Sequence, residues 1–211
     1  MKPSAIRLVL GTILALAAAG AIVSWQATRV ADAPLPVVNP NLQIGGAFTL
    51  TDHHGKTVSD ADYRGRYLLI FFGYTFCPDV CPTELQTVAV ALDSLGEAAR
   101  QVQPLFISVD PQRDTPSHLA TFVSQFHPQI VGLTGTPEQI AAVARAYRAY
   151  YAKAPGSDPE HYLMDHSAFL YLMAPDGRFL TVFRNGTPPE TLAADLRQRL
   201  AAQPAATARG G

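Results

Sequence analysis

The chain's only two cysteines, Cys77 and Cys81, lie within the stretch FFGYTFCPDVCPTEL. Each is followed at once by a proline, Pro78 and Pro82. A residue before proline is pushed out of the helical region, while proline itself is favoured in the first turn of a helix. The spacing therefore predicts a helix that begins at Pro82, with Cys81 as its N-cap and Cys77 in the preceding loop. Both sulfurs would face the free N–H groups and the positive end of the helix dipole, which favour thiolate over thiol.

Three chemistries fit such a pair. A structural disulfide closing a five-residue loop removes only about 2 kcal/mol of chain entropy from the unfolded state, against nearly 5 for a hundred-residue loop. Thiol–disulfide exchange fits a low-pKa thiol beside a resolving partner. Thioredoxins, however, carry two residues between their cysteines and a proline before the strand facing them. Here there are three, and that strand is preceded by Met164-Asp165-His166. The third chemistry is metal binding. Two thiolates alone hold Cu(I) in an easily lost linear site, and His166 stands where the missing proline would be. Two sulfurs and an imidazole suit copper as Cu(I) or Cu(II), whereas a structural zinc site takes four protein ligands. Asp79 is a possible oxygen donor between the cysteines. Peroxiredoxin chemistry wants a threonine three residues before its reactive cysteine, and Tyr74 stands there instead.

These residues need a scaffold, and 211 residues with 48% hydrophobic content are enough for one domain with appendages. Sixteen basic and 17 acidic side chains, in no long run of either sign, argue against nucleic acid as a partner. At the N-terminus no charge occurs from Leu8 to Thr28, while Lys2 and Arg7 precede the run. As a helix it would span about 32 Å, close to the hydrocarbon thickness of a bilayer. A cleaved signal peptide and an uncleaved anchor compete. The length of the run and the poor cleavage context at Ala31-Asp32-Ala33-Pro34 favour the anchor. The basic residues orient it with the N-terminus in the cytoplasm and the rest of the chain exported. The expected organisation is a transmembrane anchor over 1–29, a proline-rich linker over 30–44, a folded domain over 45–200 and a disordered tail over 201–211.

Within the domain, 66–73 and 104–109 read as buried strands, and 130–133 as a shorter one. Helical spacing marks 82–95, 116–126, 137–150 and 188–200. A hairpin begins the domain, and Pro175-Asp176-Gly177 joins strands over 167–173 and 178–183. This order is the wiring of an α/β, thioredoxin-like domain, with the cysteines beyond the carboxyl end of its first long strand. Asp110 and Pro111 follow a buried strand and fall near the same edge. Asp110 and Asp114 read either as groups shaping the cysteine loop or as helix-capping residues. Asp165 reads as a group that could orient His166 or as a surface turn residue. His161 is the nearest rival ligand.

GYTFCPDVCPTEL, SVDPQRDTP and YLMDHSAFLYLMAPDG, in that order, resemble the Sco/SenC family of membrane-anchored copper proteins. The resemblance covers about 45–200. It implies a thioredoxin-like fold and a metallochaperone rather than a turnover enzyme, with copper ligands at Cys77, Cys81 and His166. It also implies loading by an upstream copper donor and delivery to the binuclear copper site of cytochrome c oxidase subunit II. The implied location is the inner membrane, single-pass, with the domain facing the periplasm. A thiol–disulfide reductase acting on the oxidase cysteines is the alternative that shares Cys77 and Cys81.

Overall fold

A computed structural model describes residues 43–156 and 161–202. The anchor expected over 1–29, the linker up to residue 42 and the tail beyond residue 202 lie outside the described residues. Among the described residues no helix is long and apolar enough to cross a membrane.

The chain order is β1 (Thr49–Asp52), β2 (Thr57–Ser59), β3 (Tyr67–Gly73), α1 (Val80–Leu95), β4 (Val102–Ser108), α2 (Pro116–Val123), β5 (Val131–Thr134) and α3 (Pro137–Tyr147). There follow β6 (Tyr151–Lys153), β7 (Met164–His166), β8 (Phe169–Met173), β9 (Phe179–Arg184) and α4 (Pro189–Ala202). Seven strands form one sheet in the order β2-β1-β5-β4-β3-β8-β9, and β6 and β7 form a separate two-stranded ribbon. The central strands β3, β4 and β5 are parallel, with β8 antiparallel against β3. This is the expected α/β, thioredoxin-like architecture.

Every residue of β3 and β4 is buried, as the unbroken apolar runs YLLIFFG and PLFIS require of strands covered on both faces. Alternation along β3 sends Phe71 and Phe72 to opposite sides. Phe71 stacks on Phe106, which meets Phe122 of α2. Phe72 packs against Tyr147 of α3 and Tyr171 of β8. Helix α2 thus covers one face of the sheet and α3 the other, while α4 lies against α1. Helices α2 and α3 each begin with proline after a capping threonine. Thr115 accepts from the His118 N–H, and Thr136 forms a reciprocal capping box with Gln139.

Topology brings three distant segments to one edge. Gly73 pairs with Ser108 in the parallel β3–β4 ladder, so the loops after both strands emerge side by side. Because β8 runs antiparallel to β3, with Phe71 opposite Leu170, its beginning lies at that same edge. The cysteine loop, the residues after Ser108 and the approach to Phe169 therefore converge.

Several expected boundaries move. Helix α1 starts at Val80 with Asp79 as N-cap, so Cys81 lies inside the first turn and is not the cap. Pro82 is tolerated there because first-turn N–H groups have no intrahelical partner. The strand expected from residue 167 starts two residues later, and the residues before it form a separate strand. His166 ends β7, opposite Tyr151 of β6, and β8 starts at Phe169. Helix α2 ends at Val123, short of the expected Phe126. Helix α3 ends at Tyr147, where Arg148 turns left-handed with φ 55°. Helix α4 continues through Ala202.

Phe72 is fully buried at the crossing of β3, β8 and α3. Phe72→Ala is expected to lower unfolding free energy by about 3–5 kcal/mol, read as a lower denaturant midpoint at unchanged slope.

Candidate metal centre

Cys77 is half-buried in the loop after β3, Cys81 is fully buried in the first turn of α1, and both are free thiols. The ligand atoms of Cys77, Cys81 and His166 all lie within 4.8 Å of one another. Cys81 Sγ stands 3.5 Å from His166 Nε2, and the Cys81 backbone N–H donates to Cys77 Sγ at 3.4 Å. Three donors around one ion, with bonds of roughly 2.0–2.3 Å, sit about 3.5–4 Å apart, so the apo arrangement is close to a ligating one. Asp79 and His161 are not part of this cluster.

Gly73 makes the approach of α1 to β3 possible. A Cβ at that position would come within 2.7 Å of both Cys81 Sγ and the Phe106 ring. The sulfur of Cys81 occupies the space that any other residue would fill.

The sulfurs titrate as a pair. A hydrogen bond from the Cys81 thiol pulls Cys77 far below the usual thiol range. Burial opposes this, while His166 and the backbone N–H groups of Asp79 and Cys81 reinforce it. The same hydrogen bond, together with burial, pushes Cys81 up. Cys77, at the N-terminus of α1, is therefore the more acidic sulfur of the coupled pair, and the buried Cys81 the less acidic. His166 Nδ1 lies 3.4 Å from the Ser167 carbonyl. Nε2 is the ring nitrogen that faces the sulfurs. The ring is held edge-on between Phe71 and Tyr74. Asp165 is exposed, and the Ser167 carbonyl fills the orienting role considered for it.

The segment SVDPQRDTP supports the site from below. Asp114 is fully buried and accepts from Thr75 N–H at 3.0 Å, Thr75 Oγ1 at 2.6 Å and Ser108 Oγ at 2.6 Å. It ties the cysteine loop to the end of β4, while the helix cap it could have been is supplied by Thr115. Asp110 accepts from the Tyr162 hydroxyl at 2.7 Å and pairs with Arg113. Arg113 donates to the Tyr162 carbonyl at 2.9 Å, and its guanidinium lies 4.6 Å from the Phe76 ring centre. Thr75, Arg113 and Tyr162 are functional residues that the spacing arguments passed over. All three lie inside the quoted motifs, but a lone threonine, arginine or tyrosine carries no sequence signal of its partners.

The SCO1/SenC family model matches residues 37–201. The chain belongs to the SCO1/SenC family. It is 45% identical over 155 residues to the human protein SCO1 homolog, mitochondrial, covering 72% of this chain and 52% of that one. It thus spans about half the length of that relative. It is 42% identical over 181 residues to protein SenC of Rhodobacter capsulatus, covering 86% and 81% of the two chains. Among solved structures, Bradyrhizobium japonicum ScoI with copper bound is 49% identical and superposes with a TM-score of 0.69, covering 74% of this chain and 98% of that one. The SCO1/SenC match thus takes in all three motifs and both supporting networks.

Because Cys77 is held ionised, its alkylation by iodoacetamide in the metal-free full-length chain should stay near its maximal rate at pH 6. An ordinary thiol with pKa near 8.5 is slowed more than a hundredfold there. Mass spectrometry of the labelled chain should find Cys81 unmodified until the protein unfolds. A rate that climbs tenfold per pH unit through neutrality would contradict the assignment.

Proposed function

We propose that this chain binds one copper ion through Cys77, Cys81 and His166 and hands it on during assembly of cytochrome c oxidase. The recipient is the binuclear copper site of subunit II. The observation that carries the reading is the convergence of two sulfurs and one imidazole within 4.8 Å at a half-exposed edge. The copper-bound ScoI relative, 49% identical, supports the choice of metal. In this reading the domain is a metallochaperone rather than a turnover enzyme.

The chemistry follows from the resting charge state. Cu(I) or Cu(II) meets the acidic Cys77 sulfur and the His166 imidazole, and binding displaces the protons that the sulfurs still hold. Three protein donors leave room for an incoming thiolate or imidazole of the recipient. Ligands are then exchanged one at a time, and the ion is never free. The prolines after each cysteine and the Asp114–Thr75 contacts fix the loop before copper arrives, which lowers the ordering cost of binding.

The charge-free run Leu8–Thr28 supports a single inner-membrane anchor over 1–29, with a linker over 30–44 and a tail at the C-terminus. The copper domain would then face the periplasm, to be loaded there by an upstream copper donor.

The thiolate of Cys77 beside the thiol of Cys81 also supports a second reading, disulfide reduction in the oxidase. Cys77 would attack the partner's disulfide. Cys81, giving up its proton, would then attack Cys77 in the mixed disulfide, which leaves a Cys77–Cys81 disulfide on this chain and releases the partner's two sulfurs as thiols, reduced by two electrons. His166 separates the two readings. His166→Ala in the full-length chain is expected to weaken copper binding at least about 100-fold in competition with a chelator, while thiol–disulfide exchange with a model disulfide persists. Unchanged copper affinity would remove His166 from the ligand set and leave the redox reading.

A further inference from the structure

His166 is carried by an unusual support. Strands β6 and β7 form a ribbon of only two short strands, separate from the main sheet. A lone pair of strands is marginal in water, so the position of the imidazole depends on what pins the ribbon down. The pin is Tyr162, buried two residues before β7. Its ring lies between two cations, with the Arg113 guanidinium 3.6 Å and the Lys153 ammonium 3.8 Å from its centre. Its hydroxyl donates to Asp110, its carbonyl accepts from Arg113 Nη1, and Asp110 completes the triangle by pairing with Arg113. Arg113 also reaches the other half of the site, where its guanidinium lies over Phe76, next to Cys77.

We infer that Arg113 is a positioning residue for the metal site: through Tyr162 on one side and Phe76 on the other, it sets the distance between the imidazole of His166 and the sulfur pair. This rests on the three-donor reading above and deepens it. One guanidinium spans the loop after β4, the approach to the ribbon and the cysteine loop. It does so with groups that a lysine cannot reproduce, a planar stack plus directed N–H bonds. Among the described residues its Nη2 is buried without a hydrogen-bond partner. The cation is therefore held by the aromatic faces, Asp110 and the Tyr162 carbonyl. Loss of these contacts leaves the ribbon tied at Tyr150–Ser167 and through the bond between Tyr74 and the Met164 backbone, with one support fewer to hold the ring at its distance from Cys81.

The test is a double-mutant cycle in the full-length chain, with Cu(II) affinity from chelator competition and imidazole ligation from nitrogen coupling in the EPR spectrum. Arg113→Met is expected to weaken binding about 10–100-fold and to diminish the nitrogen coupling. In that background His166→Ala should cost far less than in the wild type, because the ligand has already been displaced. Arg113→Lys should restore little. Additive losses, or Arg113→Met with unchanged nitrogen coupling, overturn the inference while leaving the three-donor site intact. Full affinity in the single His166→Ala variant overturns that site, and this inference with it. Should Arg113→Met fail to fold, Tyr162→Phe runs the same cycle. The loss of one hydrogen bond then predicts about a fivefold to tenfold effect that is non-additive with His166→Ala.

Discussion

A buried carboxylate holds the site together. Asp114 sits with no exposed surface between the end of β4 and the loop after β3, and it accepts three hydrogen bonds from Thr75 and Ser108. Burial pushes its pKa up, and the donors around it pull the other way. A buried carboxylate is costly unless fully bonded, so the loop that supplies the donors is not free to relax. The loop's course past Thr75 then places Cys77 where the N–H groups of α1 reach its sulfur. The acidity of Cys77, the approach of Cys81 to it and the gap facing His166 all depend on that fixed course.

Two kinds of support meet at the centre. The cysteines stand on the rigid part of the molecule, at the junction of a fully buried parallel ladder and a sixteen-residue helix. The histidine stands on a short ribbon fastened by side-chain contacts. A copper carrier benefits from that asymmetry. In the proposed reading, two sulfurs would retain the ion while the third donor, on the two-stranded ribbon, would yield to an incoming ligand. Reduction of a partner's disulfide needs only the rigid half. The two proposed chemistries would thus share the cysteines and differ at His166.

The strands and helices were legible because their patterns are local. The runs YLLIFFG and PLFIS read as buried strands, and helical spacing from Pro116 and Pro137 marked α2 and α3, which start at those residues. Readings failed where tertiary contacts override a local rule. Pro82 signalled a helix start, yet α1 begins two residues earlier. The segment before Phe169 looked like the entry of one strand, but a pairing with Tyr151, fifteen residues upstream of His166, makes it a ribbon of its own.

By itself, the sequence determined the donor types. Two cysteines beside prolines and a histidine at a strand approach fix what the site can ligate, because sulfur and imidazole carry their softness and acidity wherever they are placed. Only the tertiary structure decided that these atoms meet, which sulfur is the more acidic, and that Asp114, Arg113 and Tyr162 hold them in place. Those are matters of distance between segments up to about ninety residues apart in the chain, set by parallel and antiparallel pairing around β3, and no local pattern encodes them.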